Sequence, residues 1–260
     1  KGFKSGGYDT LGYSGQGFEF EEEEATSFEL GSKMTLAGGM AELNVALYRT
    51  EFENLQVSVF DGFIGFNTGN AGKAITQGVE LDGRWRVSQQ LTLSGALAYS
   101  DFEFDEYPNG QCFFGETPTQ LIPDSTFVGE SQALCDRKGS TNQYVSDWTA
   151  SVTADYITPV TDGIDFHASL DLLYTDDYIT SQSLDSRVSQ DAFTKVNLRL
   201  ALMGASDRWE LALLGKNLTG EKVVGYANEV PLSGSVFGSF SHYGFIEPPK
   251  TIALQGALRF

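Results

Sequence analysis

The chain is short of several features that common membrane and metal proteins depend on. No continuous apolar run reaches the roughly 18 residues that a membrane-spanning helix needs, and no basic start followed by an apolar core marks a signal peptide. Cysteine and histidine number two each and methionine three. So few soft or imidazole donors leave a zinc site short of ligands and speak against capture of a bare transition metal. Basic residues are outnumbered, 17 Lys and Arg against 35 Asp and Glu, for a net charge of -18. Proteins that hold nucleic acid neutralise phosphates with clustered Lys and Arg, so nucleic acid is excluded as a partner.

What is present is a rhythm of period two. From Thr251 to Phe260, Ile252, Leu254, Leu258 and Phe260 share one face with Gly256, while Thr251, Gln255 and Arg259 share the other with Ala253 and Ala257. Ile164, Phe166, Ala168, Leu170, Leu172 and Tyr174 alternate in the same way against Asp165, His167, Ser169, Asp171 and Thr175. Apolar faces of that length are hard to hide in a small soluble sandwich. They fit a barrel wall, where one side chain in two faces lipid and the next faces the lumen. With 29 Gly and 19 Phe among 260 residues, composition agrees but decides little.

The spacing predicts about ten strands. An upward strand ends near Thr10, and a downward one runs from about Glu23 to Ala37 with Phe28, Leu30, Met34 and Leu36 outward. A Gly38-Gly39 turn suited to a primed hairpin follows, then strands over about Met40 to Phe60 and Gly69 to Val87, and a second tight turn at Ser88 to Gln90. Leu91 to Glu103 leads into a long irregular segment, about Glu106 to Ser146, of a length that is usually functional. Trp148 to Tyr156, a turn at Thr158 to Gly163, a strand to about Tyr178 and another over Thr194 to Met203 come next. A tight turn at Ala205 to Asp207, a strand from Trp209 to Leu218, a loop from Thr219 to Glu247 and the last strand complete the series.

Every tight turn falls on one side and every long loop on the other, the order of an all-β, antiparallel, up-and-down transmembrane barrel with short periplasmic turns and long extracellular loops. Trp85, Tyr99, Trp148, Tyr156, Tyr174 and Trp209 lie near strand ends, where interfacial girdles or ordinary cross-strand aromatics belong. The acids Glu19, Glu21 to Glu24, Asp101, Glu103, Asp105, Glu106, Asp176 and Asp177 gather at the loop ends. They read as a solvated rim, with divalent-cation binding as the sharper alternative.

Several short segments resemble the C-terminal barrel region of TonB-dependent outer-membrane receptors. They are Gly2-Phe3-Lys4-Ser5-Gly6-Gly7-Tyr8-Asp9, Ser27 to Lys33, Asn70-Ala71-Gly72 with Gln77 to Leu81, Gly215 to Thr219, and Pro248 to Thr251 leading to Leu258-Arg259-Phe260, in family order along the whole chain. The resemblance implies a 22-strand barrel in the outer membrane of a Gram-negative bacterium, of which residues 1–260 are about the last ten strands, with the N-terminal plug and other strands outside this chain. It implies import of a scarce solute, energised by TonB through the plug. The solute is then a small molecule such as a siderophore, a cobalamin or an oligosaccharide. Outer-membrane lipid and lipopolysaccharide, the barrel-assembly machinery, which would recognise Phe260, and a surface lipoprotein are the other implied partners. Lys1 opening inside a strand motif and the missing export signal fit a truncated start, the chain being a fragment or one half paired with the missing part of the receptor. In such a barrel Glu29, Lys33, Glu80, Arg84, Lys195, Arg199, Glu210 and Lys216 point into the lumen, since Lys or Arg facing lipid near the midplane costs about 2 to 4 kcal/mol.

Cys112 and Cys135 share the longest loop, and an exported protein meets an oxidising compartment, so a disulfide is expected in preference to a metal site. No enzyme constellation is found: His167 sits on a lumen-facing strand and His242 in the last loop, and no cofactor is implied. Tyr226, Phe237, Phe240, His242 and Tyr243 of the last loop offer stacking and hydrogen-bonding surface for a ligand, or pack on one another. The competing expectation is a small stand-alone barrel acting as a passive porin or a barrel enzyme.

Overall fold

The computed structural model describes residues 1–9, 19–60, 66–123, 131–204, 208–230 and 233–259. Ten strands form one antiparallel sheet in strict chain order. They are β1 (Gly2–Lys4), β2 (Glu23–Leu36), β3 (Ala41–Glu53), β4 (Lys73–Arg86), β5 (Leu91–Glu106), β6 (Trp148–Thr161), β7 (Ile164–Thr175), β8 (Phe193–Gly204), β9 (Trp209–Lys216) and β10 (Thr251–Leu258). Each pairs with its chain neighbours, the up-and-down order the alternation predicts. The sheet does not close on itself among the described residues: β1 pairs only with β2, and β10 only with β9. Among the described residues no helix is long and apolar enough to cross a membrane, which says nothing of crossing by strands.

On one side the junctions are short. Between β2 and β3, Gly38 (φ 66°) and Gly39 (φ 91°) take the left-handed backbone that a side chain would strain. Between β4 and β5, Ser88 Oγ accepts the backbone N–H of Gln90 (3.1 Å) and of Leu91 (3.0 Å), so the serine holds the turn shut. Between β6 and β7 the expected turn at Thr158 to Gly163 shrinks to Asp162 and Gly163, because a bulge between Pro159 and Thr161 lets the strand run on. Ala205 to Asp207 lie outside the described residues.

One expected strand divides, and one expected irregular segment gains strands. Met40 to Phe60 breaks after Glu53, where Asn54 adopts a φ of 54°, and Gln56–Phe60 instead pairs with Phe66–Asn70 as a hairpin standing above the wall. The segment Glu106 to Ser146 is not irregular throughout: Gly110–Gln111, Gln120–Pro123 and Ser131–Cys135 form a small three-stranded sheet. Short pairings at Tyr178–Ile179 with Ser189–Gln190, and at Val224–Glu229 with His242–Ile246, structure two further long loops, the latter carrying a one-turn helix, Ser233–Phe237.

Register assigns each side chain to a face. Leu30, Leu47, Val79, Tyr99, Trp148 and Tyr174 fall on one side of the sheet, and Glu29, Tyr48, Gly78, Ser100, Thr149 and Thr175 on the other. The first side is apolar and open, with Phe28, Leu30, Leu254 and Leu258 each more than two-thirds exposed, as a wall facing lipid requires. Tyr99, Trp148 and Tyr174 edge it above, the first two with ring centroids 4.8 Å apart, and Trp85, Tyr156 and Trp209 edge it below. Trp148 to Tyr156 rises roughly 20 Å at about 3.3 Å per residue and a tilt of about 40°, close to the usual apolar band of such barrels. Just above that band the same face turns polar: Arg49 holds Glu51 and Gln77, and Gln77 holds Asp101.

Among the described residues, a conventional core forms at the long-loop end of the sheet. Ala71, Ala74, Phe104, Tyr107 and Leu184 are buried together, flanked by Phe52, Leu55, Val57 and Phe102. Burial pushes the Tyr107 phenol up to about 12. Leu184 comes from the loop between β7 and β8, so this cluster draws that loop in against the top of β4 and β5.

Candidate functional site

The polar face of the wall carries all eight predicted lumen charges, Glu29, Lys33, Glu80, Arg84, Lys195, Arg199, Glu210 and Lys216, on one side of the sheet by register. Neighbouring strands are stitched across this face. Asn44 donates to Asp82 (2.8 Å), and Tyr48 reaches over Gly78 to donate to Ser100 Oγ (3.1 Å). Arg199 pairs with Glu210 (2.6 Å) and donates through Nη1 to His167 Nδ1 (3.2 Å). Because Arg can only donate, His167 carries its proton on Nε2, facing Asp155 (3.4 Å). Four strands are thus joined by a relay of structural polar contacts. The relay has the chemistry of a charged wall, each partner held by a hydrogen bond or ion pair to the next.

Above the wall, three long loops form a layer by contacts too distant in sequence for periodicity to predict. Tyr144 N–H donates to Ile179 O (2.8 Å) and Ser146 Oγ to Asp176 O (3.1 Å). Tyr178 Oη donates to Val224 O (3.3 Å), and Val224 N–H to Gln190 Oε1 (2.8 Å). Lys195 on β8 pairs with Glu247, which anchors the last loop to the wall. Within the first loop Cys112 and Cys135 form the expected disulfide, with Cα atoms 5.1 Å apart, and Arg137 grips both oxygens of Glu116 at 2.7 Å.

The layer has two centres. The first is charged. Thr180, Ser181, Ser183, Leu184 and Asp185 are buried in succession, an inward-folded loop whose Asp185 side chain is 0% exposed. Arg187 holds both oxygens of Asp185 (2.8 and 3.0 Å) and donates to Phe114 O (3.0 Å). Its guanidinium lies 3.5 Å from the centre of the Phe240 ring and 4.7 Å from that of Phe113. His242 meets Phe240 edge-on at 4.3 Å, and its Nε2 is 3.5 Å from Asp185 Oδ2. Glu229 is the cross-strand partner of His242 and accepts from Ser183 Oγ (3.1 Å). Burial raises the Glu229 pKa above the usual carboxylate range and Asp185 adds to the rise, while the Ser183 hydrogen bond and His242 oppose it.

The second centre is aromatic. Tyr226, Tyr243 and Phe245 line one side of the last hairpin with ring centres 5.9 to 6.4 Å apart, and the two phenol oxygens are 3.3 Å from each other. That hydrogen bond, with burial, raises the Tyr243 pKa. Tyr144 and Tyr178, centroids 5.9 Å apart, continue the row from the other two loops.

The five aromatic and histidine positions singled out in the last loop therefore separate. Phe240 and His242 join the charged centre, Tyr226 and Tyr243 the aromatic one, and Phe237 stands 79% exposed on the short helix. Asp185, Arg187, Glu229, Phe113, Tyr144 and Tyr178 were not foreseen. Only the Asp185-x-Arg187 spacing was visible locally, and such pairs are common. Phe260 lies outside the described residues.

Residues 1–218 match the family described as TonB dependent receptor-like, beta-barrel. The chain belongs to the TonB-dependent receptor family. This receptor chain is 30% identical over 109 residues to the pesticin receptor of Yersinia enterocolitica, 40% of this chain and 16% of that protein. Its fold is similar to that of the ferric yersiniabactin uptake receptor FyuA from Yersinia pestis, with a TM-score of 0.71 at 17% identity over 100% of this chain and 34% of that one. It is also similar to the siderophore receptor PiuA from Acinetobacter baumannii, with a TM-score of 0.63 at 17% identity over 93% of this chain and 29% of that one. The chain thus spans about a third of the length of these solved receptors. The family is one of outer-membrane transport receptors and not of enzymes.

Proposed function

We propose that residues 1–260 are the C-terminal part of the barrel of a longer receptor, which captures an iron chelate of the siderophore class at its loop layer and imports it with energy delivered by TonB through a plug domain. The observation that carries the reading is the layer itself: three loops tied to one another above a polar wall, presenting the row Tyr144, Tyr178, Tyr226, Tyr243 and Phe245. Flat, partly exposed rings with phenol hydroxyls suit an aromatic chelate, which they stack on and hydrogen-bond. The two sheet edges, unpaired among the described residues, support the division of the barrel, since an open row of N–H and C=O groups at membrane depth needs further strands. FyuA, a ferric yersiniabactin uptake receptor, and PiuA, a siderophore receptor, are similar in fold and support the solute class.

The test is uptake of radioiron siderophores by cells carrying the whole receptor, with and without functional TonB. The expected outcome is TonB-dependent uptake of at least one siderophore, with a Tyr226→Ala, Tyr243→Ala double variant binding it at least about tenfold more weakly, as loss of two stacking rings predicts. Uptake indifferent to TonB, or no siderophore transported, would sink the reading.

A further inference from the structure

We propose that Asp185, Glu229 and His242 form a resident site for one borderline divalent cation of the zinc class, which clamps the loop between β7 and β8 to the last hairpin. The three side chains present donor atoms that all lie within 4.8 Å of one another. They come from two loops that are otherwise distant in sequence, and two of them, Glu229 and His242, face each other across the hairpin.

A separate observation points to a missing ligand. His242 Nε2 is buried and has no hydrogen-bond partner among the described residues, although the ring as a whole remains 19% exposed. Its neighbour Asp185 Oδ2 is 3.5 Å away, beyond a sound hydrogen bond and well suited to sharing a metal between nitrogen and oxygen. Leaving a buried ring nitrogen unsatisfied costs free energy that a bound cation would recover.

Charge supports the same occupant. Asp185 and Glu229 bring two negative charges against the single positive charge of Arg187, with the imidazole neutral as a ligand must be. Burial of that surplus is unfavourable unless a cation compensates it. Arg187 does not block the site: its Nε (2.8 Å) and backbone N–H (3.0 Å) both donate to Asp185 Oδ1, but Oδ2, the oxygen that faces His242, accepts only Nη2 (3.0 Å) and keeps a second lone pair for the ion. It instead orients Asp185, as Ser183 orients Glu229, in the manner of the partners that stand behind metal ligands.

The donor set selects the ion. One imidazole and two carboxylates suit zinc and its neighbours cobalt and manganese, supply too few oxygens for calcium and no sulfur for copper(I). Bonds of about 2.0 to 2.1 Å in a tetrahedral site put donors about 3.3 Å apart, so the carboxylates close in by at most about 1.5 Å, within reach of side-chain rotation. Water or a group from the solute takes the fourth position. The ion is a fixture of the receptor and not its cargo, so the inference stands apart from the import reading.

The test uses the whole receptor in detergent, stripped with a chelator and titrated with Co²⁺, followed by visible absorption, with Zn²⁺ as competitor. The expected result is one saturable equivalent with the absorption of four-coordinate cobalt, displaced by Zn²⁺. His242→Gln and Glu229→Gln are each expected to weaken it at least about tenfold, in barrels whose heat-modifiable migration is unchanged. No saturable cobalt binding up to about 100 µM, or either variant binding as tightly as the wild type, would overturn the site. Siderophore uptake measured on the same variants separates this outcome from failure of the import reading.

Discussion

Arg187 organises the loop layer because its planar fork does two jobs at once, gripping a buried carboxylate while stacking on Phe240 and Phe113. Lysine supplies the charge without the fork or the stacking plane. Glu229, in the same centre, gives a pH dependence whose sign follows from its environment. Its folded pKa is raised, chiefly by burial, so its ionised form is the disfavoured one, with Asp185 adding repulsion and Ser183 and His242 relieving it. The stability it contributes is full below the ordinary carboxylate range and is lost as pH rises through the raised value. In metal-free receptor, amide exchange in residues 224–229 and 242–246 should therefore quicken as pH rises from the ordinary Glu range, after correction for intrinsic exchange. Glu229→Gln should flatten that profile, and an unchanged slope in the variant would place the effect on another group.

At the scale of elements, the wall was written plainly in the sequence. Period two survives in β4 to β10 because both faces have a fixed environment, so nothing competes with alternation. The errors fell where a residue left the wall. Asn54 ends β3 through a left-handed backbone, and the bulge after Pro159 lengthens β6, local events that alternation does not encode. Nor could it pair Gly110–Gln111 with Ser131–Cys135, or seat Asp185 beside His242, since both depend on loops folding against each other. One wall position makes a sharp prediction. Gly78 lies in register between Tyr48 and Ser100, and a Cβ there would collide with the Tyr99 carbonyl oxygen and come within 2.8 Å of the Tyr48 hydroxyl. Backbone cannot give way as a side chain can, so Gly78→Val should destabilise the wall by about 1 to 3 kcal/mol, read as a lower denaturant midpoint of the refolded receptor. A midpoint within error of the wild type would mean that β4 and β5 shift apart freely.

At the scale of the whole molecule, the ten strands of the described residues, with two edges unpaired among them, define an arc and not a pore. Expressed alone and refolded in detergent, residues 1–260 should lack the migration shift on heating that a closed barrel shows, and should associate through β10 and the free length of β2 beyond Ala25. The receptor carrying its remaining strands should show that shift. A monomeric, heat-modifiable species from these residues alone would mean that the arc closes without further strands.

The polar rung of Arg49, Glu51, Gln77 and Asp101 on the outward face has a consequence of a different kind. It acts as a waterline. Sinking the wall by one rung would drag a guanidinium and two carboxylates into hydrocarbon, and lifting it would bare Tyr99 and Trp148. The wall therefore floats at one draught, and the loop layer keeps a set clearance above the lipid whatever approaches it from outside.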